Sequence, residues 1–185
     1  MENITSALAE NWHVWLVTVV LIIAAVIDGI QLKVPNWLTF PMILSGWIFS
    51  FCWMGWPGLG WSLLGTGVWL ALLLPPYAVG GMGAGDVKLL AGVGAWIHAT
   101  HTFYAFGVSA VVGGLIALLM VAYRRGWQKH SDQFFSILNE IMTIRDPEAL
   151  SEIAARRKSS MFLLPYGIPI AIGTIAYFVW EGMLL

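Results

Sequence analysis

The sequence predicts an all-α integral membrane protein: six transmembrane helices with both termini outside, forming a single polytopic domain over residues 1–185. Three observations predict it. First, 59% of the residues are hydrophobic and 10% are charged, where a soluble domain covers its surface with about 25% charged residues. Second, no Asp, Glu, Lys or Arg occurs from 34 to 85 or from 89 to 123, stretches too long for one crossing of a hydrocarbon core that takes roughly 20 residues. Third, dividing the chain into six crossings gathers all nine Lys and Arg residues on one side.

The first crossing is 12–30, with Trp12 and Trp15 suited to one interface and Asp28 near the other. A short polar turn follows at 31–36, holding Lys33, Pro35 and Asn36. The Trp56-Pro57-Gly58 punctuation divides the next apolar run into 37–53 and 61–77. After a glycine-rich stretch, Thr100, His101 and Thr102 mark a turn between a short crossing, 87–99, and a full one, 103–123. At 1.5 Å per residue the short one covers about 20 Å, which keeps Asp86 within the depth of the bilayer. The last crossing is 161–180.

With this division Lys33, Lys88, Arg124, Arg125, Lys129, Arg145, Arg156, Arg157 and Lys158 share one side. The positive-inside rule makes that side the cytoplasm. Residues 1–11 have no basic run and carry Glu2 and Glu10, so a cleaved signal peptide is not indicated. A net charge of −1 with no basic patch outside one loop argues against nucleic acid as a partner. Cys52 is a lone cysteine, which excludes an internal disulfide or a cysteine zinc ribbon.

The loop 124–160 is an insertion between the last two crossings. Phe134, Leu138, Ile141 and Met142 recur at helical spacing, as in an amphipathic helix lying on the inner leaflet. Asp146-Pro147-Glu148 reads as a helix start, and Arg156-Arg157-Lys158 as a cationic helix end or topology anchor.

Two of the ten acids stand apart. Asp28 ends the first crossing and Asp86 begins the fourth, on the same side and at comparable depth. Ionisable groups at membrane depth are costly, and where they occur they mark functional sites. Simple interfacial pairing, Asp28 with Lys33 and Asp86 with Lys88, is the alternative. Two nearby carboxylates do not both ionise cheaply, so one holds a proton while the other stays charged. Such a pair supplies a base for water and an acid for a developing oxygen, with no metal and no cofactor. Gly80, Gly81, Gly83 and Gly85 would let a substrate backbone approach Asp86, or let helices pack closely. They do not form a nucleotide loop, since no strand precedes them and no Gly-Lys-Ser/Thr ends them. His98 and His101 fall at an outer turn without acidic or cysteine neighbours, a poor zinc set. Pro165-Tyr166-Gly167-Ile168-Pro169 opens the last crossing, where Tyr166 can reach an acid or the prolines simply kink the helix.

Gly83-Ala84-Gly85-Asp86, within Gly-Met-Gly-Ala-Gly-Asp-Val-Lys-Leu, resembles the GxGD signature of the type IV prepilin peptidases. Asp28 ahead of Lys33-Val34-Pro35-Asn36 looks like that family's first aspartate block, and 165–169 is similar to its carboxy-terminal proline–glycine block. The resemblance implies an aspartic endopeptidase of the bacterial inner membrane that cuts the basic leader from prepilins or pseudopilins at the cytoplasmic face. Asp28 and Asp86 would be catalytic, and Gly83, Gly85, Lys88, Pro35, Asn36 and Tyr166 would bind substrate or shape the site. Members that also N-methylate the product often carry paired cysteines in a large insertion. The short turn 31–36 and single Cys52 point instead to the peptidase-only branch serving Flp or tight-adherence pili. Besides the substrate, the lipid bilayer and the pilus assembly machinery are the implied partners. A transporter or proton-coupled channel using the same two acids, and a non-catalytic assembly scaffold, are the competing readings.

Overall fold

The computed structural model describes residues 11–78, 82–123 and 165–184. The acids of the amino-terminal segment, Gly80, Gly81 and the loop features at 134–158 lie outside these residues. Among the described residues the chain forms four helices and no strand: α1 (Trp12–Gln31), α2 (Asn36–Ala78), α3 (Ala84–Tyr123) and α4 (Gly167–Trp180). The first three are long and apolar enough to cross a membrane, and α4 is a shorter apolar helix.

The interruptions of α2 and α3 are where the architecture departs from straight rods. At Gly55 the backbone turns to φ 65°, ψ −148°, and at His98 to φ 61°, ψ 176°. In α2 the turn is a reversal. The Trp47 indole N–H donates to Thr66 Oγ1 at 3.0 Å, although 19 residues of straight helix would separate them by about 28 Å. Glycine takes this positive φ without the Cβ clash that other residues meet. The expected turn at 56–58 thus falls one residue earlier, and helix resumes at once. In α3 the break falls at His98 rather than at 100–102. The Thr102 hydroxyl donates to the His98 carbonyl at 2.7 Å, restarting the helix across the break.

The segment 86–97 is buried on nearly every side and forms the centre of the bundle. Both halves of α2 close on it, because Ser50 and Ser62 each donate to the Ala95 carbonyl, at 3.4 and 2.5 Å. Those serines satisfy a carbonyl that has no water to turn to. The Trp96 indole donates to the Met42 carbonyl at 2.9 Å, tying the same segment to the start of α2. Gly65 and Gly94 meet backbone to backbone, the close approach that small residues allow in membrane bundles.

In α1 the buried positions are Val14, Val17, Thr18, Leu21, Ala24 and Asp28, one stripe at helical spacing. The last member of that stripe is the carboxylate, so the helical period itself carries Asp28 inward. The far end of the bundle is aromatic: Phe49 stacks on Trp96 with centroids 4.9 Å apart and takes Trp12 edge-on at 5.2 Å.

Gly65→Val places a side chain against the Gly94 carbonyl and lowers stability by about 1–3 kcal/mol through overpacking. Gly60→Val, where a Cβ meets nothing within 4 Å, leaves the melting temperature in detergent unchanged. Equal melting of the two variants would refute the close approach.

Candidate active site

Four helix ends converge at the end of the bundle opposite the aromatic cluster: the last turn of α1 and the first turns of α2, α3 and α4. Each sequence-predicted residue lies on one of them. Asp28 is 2% exposed and Asp86 5% exposed. An ionised carboxylate at such burial is tolerable only where donors meet it.

Asp86 is the third residue of α3 and reaches back one turn, where the Gly83 N–H donates to its Oδ2 at 3.2 Å. This is the acidic arm of a capping box. Its position in the first turn also sets the negative charge against the positive end of the helix. The motif Gly83-Ala84-Gly85-Asp86 is therefore a helix start.

Asp28 has the opposite local setting. It lies in the last turn of α1, at the negative end of its own helix, where a carboxylate is disfavoured. Its backbone carbonyl takes part in ending that helix, accepting the N–H of Leu32 at 2.8 Å, with Leu32 in the left-handed region at φ 53°. A left-handed non-glycine residue costs roughly 1–2 kcal/mol. The side chain finds its donor across the chain: the Gly167 N–H of α4 donates to Asp28 Oδ2 at 2.7 Å. The alternative partner considered from sequence, Lys33, is exposed.

The 31–36 turn packs directly on the Gly83–Asp86 block. A Cβ on Gly85 would fall on the Val34 carbonyl oxygen and within 2.9 Å of its nitrogen, so only glycine fits. Val34 is buried there, and the Pro35 carbonyl accepts the N–H groups of Leu38 and Thr39 at 3.1 and 3.3 Å to start α2. The Lys88 ammonium donates to Asn36 Oδ1 at 2.9 Å and stands 4.8 Å from the centre of the Phe40 ring. Lys88 thus clamps the two blocks together. Tyr166 is half-buried beside Gly167, with its phenol within electrostatic reach of Asp86.

The structure therefore brings Asp28, Asp86, Gly83, Gly85, Lys88, Pro35, Asn36 and Tyr166 to one end of the bundle. Sequence reasoning missed two members, Val34 and Gly167. Both act through backbone atoms, and the signal for Gly167 was its place between Pro165 and Pro169. His98 and His101 are elsewhere: His98 forms the break in α3, and His101 Nδ1 is 2.8 Å from the Tyr177 hydroxyl. Among the described residues no three His, Cys, Asp or Glu side chains are placed to hold a metal ion.

The profile of the type IV leader peptidase family matches residues 15–118. The chain is 28% identical over 135 residues to a prepilin leader peptidase/N-methyltransferase of Aeromonas hydrophila, covering 68% of this chain and 46% of that protein. It is 29% identical over 120 residues to the protein of the same name from Aeromonas salmonicida (strain A449), covering 61% and 41%. The chain thus spans less than half the length of these curated relatives. No solved structure matches it.

Gly85→Ala drives a methyl into the Val34 backbone and lowers stability by about 1–3 kcal/mol. Ala84→Gly, at an exposed neighbouring position, costs about 1 kcal/mol or less as a helix-propensity effect. Thermal unfolding in detergent separates the two, and a Gly85→Ala chain as stable as wild type would remove the close fit of the two blocks.

Proposed function

Because the chain belongs to the type IV leader peptidase family, we propose that it is an aspartic endopeptidase that removes the basic leader from prepilin-like proteins. The observation that carries this reading is the pair of buried acids, Asp28 and Asp86, each met by a backbone amide at the end of the bundle where the four helix ends converge.

In this mechanism one carboxylate is ionised and its partner protonated. The ionised group takes a proton from water as the water oxygen bonds to the scissile carbonyl carbon. The protonated group gives its proton to the carbonyl oxygen. As the tetrahedral intermediate collapses, the C–N bond breaks and the amine leaves with the proton taken from water. A hydroxyl of the intermediate returns its proton to the other carboxylate, leaving a carboxyl group on the leader and one proton on the pair. Gly83 carries no side chain beside Asp86, Gly85 admits the Val34 backbone, and Lys88 with Asn36 holds the 31–36 turn, Pro35 included, against the start of α3. No step calls on a metal or a cofactor.

The reversal at Gly55 and the break at His98 favour reading α2 and α3 as two crossings each, six in all with α1 and α4. The basic residues then face the cytoplasm on the side of the two acids, with both termini outside. A prepilin would lie with its apolar segment against the bundle in the inner membrane and its basic leader at the cytoplasmic rim. The short 31–36 turn and lone Cys52 favour cleavage without methylation, in the branch that serves Flp or tight-adherence pili alongside their assembly machinery.

Asp28→Asn and Asp86→Asn each lower cleavage by about 10²- to 10⁴-fold while the chain still inserts. The double variant is no worse than either single one, because the acids act as a unit. Co-expression with candidate pilins, read by the intact mass of the pilin product, checks both statements. Leader removal at the normal rate by either single variant would falsify the reading.

A further inference from the structure

We infer that the amino end of α4 is a positioning element for the two-carboxylate site, with the Gly167 amide, on the turn that also holds Tyr166, fixing the Asp28 carboxylate. The inference rests on the peptidase reading and adds a part that lies outside residues 15–118, the region shared with the family profile.

The amino end of a helix leaves four backbone N–H groups without intrahelical acceptors. Most helices meet this need with the side chain of the N-cap residue. In α4 the N-cap is Tyr166, which makes no side-chain cap hydrogen bond. Asp28 does the capping from another helix, 139 residues away in sequence, with its Oδ2 2.7 Å from the Gly167 nitrogen. Each partner answers the other's deficit. The carboxylate lies at the negative end of α1 and gains the positive end of α4, while α4 gains the acceptor that its own N-cap does not supply.

The fit is tight. A Cβ on Gly167 would lie 2.9 Å from both Asp28 Cβ and Oδ2, and 3.1 Å from Cγ. At these distances the carboxylate has to move. Farther along, α4 is seated against α3, so that its amino end cannot slide away. The Ser109 hydroxyl donates to the Ile170 carbonyl at 3.2 Å, and Gly173 lies directly on the Ser109 backbone. Pro169 meets Gly113, where a Cβ would be 3.4 Å from the proline Cβ. The register of α4 against α3 thereby sets the height at which Gly167 meets Asp28.

The test uses the full chain in detergent micelles with a model prepilin, a pilin precursor carrying a basic leader and its apolar segment. Asp28→Asn, Gly167→Ala, Gly173→Ala and Tyr166→Phe are compared for kcat, KM and thermal unfolding. A further variant enters residue 167 as its α-hydroxy acid, so that an ester oxygen replaces the N–H and no side-chain atom is added. The expected result is loss of product with Asp28→Asn, and a kcat lower by about 10- to 100-fold for Gly167→Ala, the scale of a misplacement near 1 Å. KM for that variant stays at the wild-type value. The ester variant shows the same split, and Tyr166→Phe a smaller fall in kcat at unchanged KM. Wild-type kcat in the ester variant, with Asp28→Asn inactive, overturns the positioning role and leaves the peptidase reading standing. Equal losses of kcat and unfolding temperature for Gly167→Ala and Gly173→Ala also overturn it, since seating alone would then account for the effect. Normal cleavage by Asp28→Asn removes the reading beneath both.

Discussion

A carboxylate taken into an apolar bundle has to be met by donors, and each of the two acids buried among the described residues is met at the amino end of a helix. Asp86 finds that end within its own helix, through the Gly83 amide. Asp28 finds it in α4, through the Gly167 amide. The arrangement of the remaining elements follows from these two needs. The last turn of α1 has to reach the first turn of α4, and the 31–36 turn has to lie flat on the first turn of α3. The segment 86–97 then becomes the buried axis around which the other helices close.

Glycine serves this arrangement by subtraction. At 85 its missing side chain admits the Val34 backbone, and at 167 it admits the Asp28 carboxyl group. At 55 the need is conformational, a positive φ that reverses α2. His98 performs a similar service in α3 without that freedom, at φ 61° and ψ 176°, a region that costs a non-glycine residue about 1–3 kcal/mol. The break is held by neighbours, among them the Thr102 hydroxyl on the His98 carbonyl.

Much of this was legible in the residue pattern. The apolar runs announced helices of membrane length, and Asp28 stood out at the end of the first run, although the inward stripe 14, 17, 21, 24 was masked by apolar residues on every side of that helix. Charge depletion singled out the two acids, and three motif blocks named the surroundings they would share. The turns were harder to place. Thr100-His101-Thr102 looks like a turn by polarity, yet those residues lie in helix and the break falls at His98, because burial of Ala95 to Ile97 and the hydroxyl of Thr102 decide the matter. Trp56-Pro57-Gly58 misled by one residue for a similar reason, since proline is at home in the first turn of the resumed helix. The backbone partners lay inside two of those blocks, but their roles were not legible. Neither the Gly167 amide nor the Val34 carbonyl has a residue type that advertises a site, and both meet their partners across long stretches of sequence.

The distance in sequence between Asp28 and its amide donor bears on how the protein is made. Synthesis delivers the acid early and the donor 139 residues later, after every other described helix has left the ribosome. Until α4 arrives and docks along α3, Asp28 stays at the unfavourable end of α1 without the group that holds it. Asp28 gains its amide donor only once α4 has formed and packed along α3.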